Sequence, residues 1–154
     1  MRALVQRVAS ASVRIADREV ARIGRGLLVF LGVARGDSAE DSAWLAHKVH
    51  RLRIFPDERG RCALALPDIA GEALVVSQFT LLADASRGHR PDFLAAAAPE
   101  IARPLYEDFV ARLAALLGRP VPTGVFAAEM QVQLLNDGPF TVILDSPRRP
   151  AAQG

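Results

Sequence analysis

The order in which strand patterns and helix patterns follow one another limits the fold of this chain more than any other feature. Strand patterns show alternating or continuous β-branched and apolar residues, whereas helix patterns repeat apolar residues every three or four positions. The expected strands cover 3–15, 19–23, 27–33, 72–84, 125–135 and 140–144, and the expected helices cover 38–52 and 99–117. Because this order has no regular βαβ alternation, it predicts an α+β domain with a mostly antiparallel sheet and two main helices.

Gly138 and Pro139 stand where the last of these strands should begin, in a polar segment, "NDGP", that we expect to join the two final strands. Proline has no amide hydrogen, so it weakens a β-ladder unless it lies at a strand's first residue, at an edge or in a bulge. Glycine adopts backbone angles that other residues avoid and lets a ligand approach the main chain closely. The pair is therefore a candidate functional feature.

The composition predicts one globular domain, which we place at residues 1–146, with 147–154 as a disordered tail. The 154 residues are 51% hydrophobic, enough for a sizeable core. Cys62 is the only cysteine, so no internal disulfide can form, and a reducing, cytoplasmic location is expected. No apolar stretch approaches the roughly 20 residues of a membrane-spanning helix. We therefore expect no membrane association.

The charge balance permits a nucleic-acid partner without requiring one. The chain has 19 basic residues and a net charge of +2, and all but one of the basic residues are arginine. The planar guanidinium group suits phosphate oxygens, which makes Arg7, Arg87 and Arg90 candidate phosphate contacts. Because the arginines are scattered, the sequence does not outline a binding surface.

A polar cluster, "SQFTL" at 77–81, interrupts an otherwise apolar strand pattern. Such clusters usually satisfy backbone groups or bind water, so function requires a second feature. Ser77 is a possible nucleophile, but its surroundings lack the G-x-S-x-G turn that exposes such a serine. A triad of Ser77 with His89 and either Asp84 or Asp92 can also be written, since triads are recognised by geometry and not by chain order.

Two other candidates have simpler interpretations. His47 and His50 are three residues apart on the first expected helix, yet no third ligand stands near them in sequence, so we expect no metal site. Met130 shares one face of an expected strand with its apolar neighbours. It either fills the core or lines a pocket.

Taken together, "SQFTL" and "NDGPFT" closely resemble the two signatures of the D-aminoacyl-tRNA deacylase family. Either motif alone is weak evidence. Further segments that fall in the family's order and spacing are "MRALVQRV", "GLLVFLGVARGD", "LRIF", "GEALVVSQFTLLAD", "RPDF" and "MQVQLLNDGP". The resemblance covers residues 1–146.

The resemblance implies the deacylase-family fold: a homodimer of compact, barrel-like subunits without metal or cofactor. Such an enzyme hydrolyses the ester that joins a D-amino acid to the 3′-terminal adenosine of tRNA, as a step of translation quality control. Gly138 and Pro139 would form a cis peptide that reaches into the neighbouring subunit's pocket and rejects the L-amino acid. Glycine has no side chain to reject, so glycyl-tRNA is an expected second substrate.

The resemblance also implies a reaction pocket beside residues 77–80. Ser77, Phe79 and Met130 are expected to bind the substrate, and Gln78 and Thr80 are the expected catalytic residues. No Asp, Glu or His lies within "VVSQFTLL" or "GPFTVIL", so a side-chain general base is hard to nominate.

Two mechanisms remain open for that pocket. In one, Thr80 attacks the ester as a nucleophile. In the other, the 2′-hydroxyl of the terminal ribose assists water while Gln78 and backbone amides stabilise the oxyanion. A tRNA-binding module without hydrolysis and a serine hydrolase of small esters are the competing functions.

Overall fold

The computed structural model describes residues 1–147. Within these residues the chain forms seven strands, two α-helices and two short 3-10 helices. The strands are β1 (Arg2–Ile15), β2 (Arg18–Ile23), β3 (Gly26–Gly32), β4 (Phe55–Pro56), β5 (Cys62–Leu64), β6 (Glu72–Ser77) and β7 (Gln131–Asp145). The helices are α1 (Ala39–His50) and α2 (Pro99–Leu117), and the 3-10 helices are Pro67–Ile69 and Phe79–Leu82. The expected disordered tail falls, except for Pro147, outside the described residues.

One mixed sheet contains five of the strands, and β1 is at its centre. Its order is β2-β1-β3-β6, and β7 also pairs with β1. The pairs of β1 with β2, β3 and β7 are antiparallel, whereas β3 and β6 are parallel. The parallel pair needs a crossover connection, which α1 and the β4–β5 hairpin supply. The α+β prediction with a mostly antiparallel, barrel-like sheet is confirmed.

The sheet buries both of its faces at β3. Leu27 and Val29 belong to the larger core cluster, which includes residues of both α-helices, and Leu28 belongs to a second cluster with β1, β2 and β6. All three side chains have no exposed surface. This explains why the sequence of β3 is a continuous apolar run instead of an alternating one.

The first helix begins and ends close to where the sequence predicts. Ser38 and Asp41 form a capping box, in which the Asp41 carboxylate accepts the backbone N–H of Ser38 at 2.9 Å. Leu45 and Val49 are fully buried. No helix within residues 1–147 is both long and apolar enough to cross a membrane.

The second helix also has the predicted ends, but only part of the predicted apolar stripe is buried. Pro99 is its first residue, and Gly118 ends it with a φ of 66°. The sequence predicts an apolar stripe of Ile101, Leu105, Phe109, Leu113 and Leu116 on this helix. Phe109 and Leu113 are buried, whereas Ile101 and Leu116 are 55% and 40% exposed. Steps of four residues exceed the 3.6 residues of a helical turn, so Ile101 lies away from the face that Phe109 and Leu113 bury, whereas Leu116 lies in the last turn of the helix. The buried side chains are Tyr106, Phe109 and Leu113.

The final strand corrects a second expectation. The sequence predicted two strands, 125–135 and 140–144, whereas β7 is a single strand that begins at Gln131 and pairs with β1 on both sides of the Gly-Pro pair. The register slips there: Gln6 of β1 faces Thr141, and Val8 faces Asn136. The intervening residues of β7 form a bulge, one of the few positions in a sheet that accommodate proline.

Candidate active site

A cavity of about 620 Å³ opens where β6 ends against the start of α2 and the segment before β7. Its wall is mainly apolar. The lining residues are Leu31, Val33, Val76, Ser77, Gln78, Phe79, Ala96, Ala97, Pro99, Ala102, Tyr106, Phe126, Ala127, Ala128, Glu129, Met130 and Val132. A concave, largely apolar cavity with a few polar groups is the usual form of a small-molecule site.

Three consecutive residues of the predicted polar cluster reach this cavity because β6 ends earlier than the sequence suggests. The expected strand 72–84 stops at Ser77, and the chain continues as the 3-10 helix Phe79–Leu82. The backbone N–H of Gln78 donates to the Leu31 carbonyl at 2.8 Å, which holds this turn against β3. Ser77, Gln78 and Phe79 all line the cavity.

Thr80 lies beside the cavity lining, on the exposed side of the same turn. Its hydroxyl oxygen accepts a hydrogen bond from the side-chain amide of Gln78. This contact fixes the orientation of the Gln78 amide, so that the two predicted catalytic residues form one unit. The Thr80 hydroxyl has no neighbouring base among the described hydrogen bonds.

Met130 serves both of the roles considered from the sequence. It lines the cavity and packs against the second core cluster. Its sulfur lies over Gly124, where an added Cβ would lie 2.5 Å from Sδ. A side chain at position 124 would therefore displace Met130 and alter the cavity wall.

Tyr106 and Glu129 are the ionisable side chains of the cavity lining. The Tyr106 hydroxyl donates to the Val75 carbonyl at 3.0 Å, and burial raises the pKa of this phenol to about 12. Tyr106 is therefore neutral at physiological pH. Glu129 was not among the residues predicted from the sequence, because it lies outside both motifs. Its position directly before Met130 was the available signal.

Gly138 and Pro139 lie outside the cavity of their own chain. Both are exposed, and the peptide bond between them is cis, as the resemblance implied. The chain thus separates the two predicted halves of the site. One half lines the cavity, and the other projects from the bulge of β7.

The side chain of Arg7 holds this bulge in place through hydrogen bonds. It is only 7% exposed, so it is not placed to contact phosphate, contrary to the expectation from the sequence. Its Nε donates to the Asp137 carbonyl at 3.0 Å and its Nη2 to the Gly138 carbonyl at 3.1 Å. Its carbon Cζ lies 4.4 Å from the centre of the Phe140 ring, within cation–π distance. The Asp137 carboxylate completes the contacts at 2.9 Å from Nε.

The serine triad does not assemble in the described structure. Ser77 lines the cavity, whereas His89 is exposed in a loop and makes no hydrogen bond or ion pair with the rest of the described chain. The two nearby aspartates, Asp84 and Asp92, each accept the backbone N–H two residues ahead. Within residues 1–147, no group of three or more His, Cys, Asp or Glu could hold a metal ion.

Comparison with known proteins finds the same family along nearly the whole chain. The family model for D-Tyr-tRNA(Tyr) deacylase matches residues 4–145. The D-aminoacyl-tRNA deacylase of Chlorobaculum tepidum is 54% identical over 97% of this chain and 100% of its own length. That of Chloroflexus aurantiacus is also 54% identical, over 99% of this chain and 98% of its own.

Two solved structures are similar to this one. A c-Myc DNA unwinding element binding protein superposes with a TM-score of 0.90 and 38% identity, over 96% of this chain and 100% of its own. A probable eukaryotic D-amino acid tRNA deacylase superposes with a TM-score of 0.81 over 94% of this chain and 98% of its own. The second shares 18% identity, so it supports the fold alone.

Proposed function

Because the chain belongs to the D-Tyr-tRNA(Tyr) deacylase family, whose members hydrolyse the aminoacyl-tRNA ester, we propose that it releases D-amino acids from tRNA and rejects L-aminoacyl-tRNA. The observation that carries this proposal is the placement of its two motifs. Ser77, Gln78 and Phe79 line one cavity, while Gly138 and Pro139 project from an exposed bulge elsewhere on the same chain. The site is complete only when a second subunit supplies the bulge.

The unpaired edge of β7 supports such a homodimer. β7 has 15 residues and pairs with β1 along one edge, and no described strand pairs with its other edge. Leu135 and Ile143 on this strand are 63% and 60% exposed. Long edge strands with exposed apolar side chains are liable to associate, so natural proteins cover them. A second copy would cover this edge and bring its own bulge to the cavity.

The bulge provides a physical basis for reading chirality. Correct L-aminoacyl-tRNA is abundant in a cell, so a useful deacylase must exclude it instead of merely preferring the D form. Exclusion requires a clash with the wrong enantiomer. The backbone of Gly138 and Pro139, held by Arg7, is a rigid group that occupies the space of an L side chain. Glycyl-tRNA escapes this clash and is the second expected substrate.

The chemical step depends on donors that stabilise the developing oxyanion more than on a side-chain base. Tyr106 is neutral and donates to a backbone carbonyl, so it is not available as a base. The Gln78 side-chain amide donates one of its two hydrogens to Thr80, so its second hydrogen and the first N–H groups of the 3-10 helix Phe79–Leu82 are the donors available to a developing oxyanion. Each donor to a developing oxyanion is typically worth about 2.7–4 kcal/mol. The 2′-hydroxyl of the terminal ribose then assists the attacking water.

Glu129 has a binding role in this proposal. The aminoacyl group carries an α-ammonium, and Glu129 is the carboxylate among the lining residues. Glu129 is exposed, so water screens part of the attraction between these opposite charges. Thr80, which orients Gln78, has a positioning role instead of a nucleophilic one. We place the enzyme in the cytoplasm, where charged tRNA is found.

The experiment that tests this function measures the release of D-tyrosine from D-tyrosyl-tRNA by the wild type and by Gln78→Ala and Gln78→Glu. Both variants lack the amide donor, and Gln78→Glu keeps the side-chain length. Loss of one oxyanion donor is expected to lower kcat by about 10²–10³. A wild type that leaves D-tyrosyl-tRNA intact, or that cleaves a small ester through a Ser77 labelled by a fluorophosphonate, would overturn the proposal.

A further inference from the structure

The loop between Asp84 and Asp92 projects from the rim of the cavity. Two backbone hydrogen bonds close its base: the N–H of each aspartate donates to the carbonyl of the other, at 3.0 and 2.9 Å. The chain enters the loop from the 3-10 helix Phe79–Leu82 and leaves it toward Ala96 and Ala97, which line the cavity. Both ends of the loop are therefore fixed at the cavity mouth.

The two aspartate carboxylates of this loop accept backbone hydrogen bonds where the loop begins and ends. The Asp84 carboxylate accepts the N–H of Ser86 at 2.8 Å, and the Asp92 carboxylate accepts the N–H of Leu94 at 3.1 Å. Hydrogen bonds from the backbone and hydroxyl of Ser86 lower the pKa of Asp84, so this carboxylate stays ionised. The negative charges thus stiffen the base of the loop, and its tip carries the opposite charge.

The tip carries basic side chains that no other described group engages. Arg87, His89 and Arg90 are exposed, and none of them makes an ion pair or hydrogen bond within residues 1–147. Gly88 between them turns the backbone with a φ of 108°. Exposed guanidinium groups without a partner are available to phosphate oxygens, which they bind in a forked geometry.

An aromatic pair lies between this tip and the cavity. Phe79 lines the cavity yet is 58% exposed, and its ring centre lies 5.1 Å from that of Phe93, edge to face. Leu94, next to Phe93, is 69% exposed. Single-stranded nucleic acid is typically bound by basic groups that follow the backbone together with aromatic rings on which bases stack. The loop and its rim combine both elements.

We propose that the loop Asp84–Asp92 docks the single-stranded 3′ end of the tRNA, with Arg87 and Arg90 on its phosphates and the Phe79–Phe93 pair beside its bases. This inference rests on the proposed function. The ester lies at the extreme 3′ end of the RNA, so the nucleotides before it must leave the cavity across its rim. The loop lies on that path.

The test compares wild type with the double variant Arg87→Ala/Arg90→Ala on D-tyrosyl-tRNA over a range of salt concentrations. Each phosphate contact on a single strand contributes about 0.7 to the slope of log affinity against log salt, so two contacts contribute about 1.4. Between 50 and 200 mM salt, kcat/KM of the wild type should therefore fall about sevenfold more than that of the variant. The change should be in KM, with kcat retained.

A matched control removes two arginines elsewhere. Arg18 in β2 and Arg59 in the β4–β5 turn are exposed and lie outside the cavity lining. The double variant Arg18→Ala/Arg59→Ala loses the same charge and should keep the wild-type salt slope. A second substrate, 3′-O-D-tyrosyl adenosine, carries no phosphate. Wild type and Arg87→Ala/Arg90→Ala should cleave it equally.

Three results would overturn the inference: equal salt slopes in the loop and control variants, a loss of kcat instead of a rise in KM, or an equal loss on the adenosine ester. A binding measurement separates this inference from the proposed function. An RNA oligonucleotide that ends in CCA and carries no amino acid should bind the wild type more tightly than it binds Arg87→Ala/Arg90→Ala. If this difference appears but D-tyrosyl-tRNA is not cleaved, the proposed function fails and the docking loop stands.

Discussion

The guanidinium group of Arg7 donates from Nη2 to the carbonyl oxygen of Gly138, 3.1 Å away, and so holds the bulge of β7 against the rest of the chain. The same side chain donates to the Ile54 and Asp137 carbonyls. These acceptors come from parts of the chain that are far apart in sequence. The direction in which the Gly138 backbone faces therefore depends on one buried cation.

Arg7→Lys should weaken this arrangement although it keeps the charge. The three donors of lysine share one nitrogen, so they cannot reach the carbonyls that Arg7 meets from three separate nitrogens, and an unpaired buried acceptor costs about 1–3 kcal/mol. We expect a lower free energy of unfolding and a rise in L-tyrosyl-tRNA cleavage relative to D. Arg14, on the same strand, is exposed, and within residues 1–147 its side chain hydrogen-bonds only to the Asp17 carbonyl. Arg14→Lys should change the free energy of unfolding by less than about 0.5 kcal/mol.

Thr80→Val should have a small effect if Thr80 positions Gln78. The variant loses one hydrogen bond, worth about 0.5–1.5 kcal/mol, which corresponds to roughly a tenfold loss of kcat at most. A nucleophilic Thr80 predicts a loss of about 10⁶, as found when a nucleophile is removed from a triad. Single-turnover rates with D-tyrosyl-tRNA distinguish the two.

Replacing the terminal adenosine of the tRNA by its 2′-deoxy form should lower the rate much more than Thr80→Val does. Loss of general acid–base assistance typically costs about 10²–10⁴ in rate. The 2′-deoxy substrate should therefore be cleaved far more slowly by the wild type. Full activity on it would support Thr80 as the attacking group.

Mixing two variant chains should restore the rejection of L-tyrosyl-tRNA if the site is shared between subunits. Gln78→Ala keeps the bulge but disables the cavity, whereas Pro139→Ala keeps the cavity but loses the ring that fixes φ in the bulge, so alone it should also cleave L-tyrosyl-tRNA. Random equimolar mixing places half of the Pro139→Ala chains in mixed dimers, where their cavity faces an intact bulge, so L-tyrosyl-tRNA cleavage per Pro139→Ala chain should fall by about half while D-tyrosyl-tRNA cleavage is kept. An unchanged rate of L-tyrosyl-tRNA cleavage despite heterodimers confirmed by native mass spectrometry would contradict the shared site.

His50 should make the protein less stable in mild acid. Partial burial and the nearby charges of Arg51 and His47 lower its pKa below the usual value of 6.5. Below that value the unfolded chain binds more protons than the folded one, so stability is lost as pH falls through the folded pKa. The Tm of the wild type should therefore drop more between pH 7.5 and 5 than that of His50→Gln. His89→Gln, at an exposed site, should behave as wild type does.

Signals that lie within a few residues of each other were readable from the sequence. The capping box of Ser38 and Asp41, the helix ends at Pro99 and Gly118, and the fully buried β3 each depend on local chemistry. The polar cluster beginning at Ser77 was also found, because hydroxyl and amide groups in an apolar run are conspicuous.

Features that depend on distant partners were not readable. β7 is continuous because β1, more than a hundred residues earlier, pairs with it on both sides of the bulge. Arg7 was assigned to phosphate because its acceptors at 54, 137 and 138 are remote in sequence. Glu129 lies outside both motifs, and only the fold brings it to the cavity.

The central claim is that the bulge of one subunit excludes the L side chain from the cavity of the other. Deacylation of D-tyrosyl-tRNA and L-tyrosyl-tRNA, charged on the same tRNA and measured under identical conditions, tests it most directly. We predict rapid release of D-tyrosine, no release of L-tyrosine above the spontaneous rate, and cleavage of glycyl-tRNA in a parallel reaction. Equal release of both enantiomers by the wild type would contradict the claim.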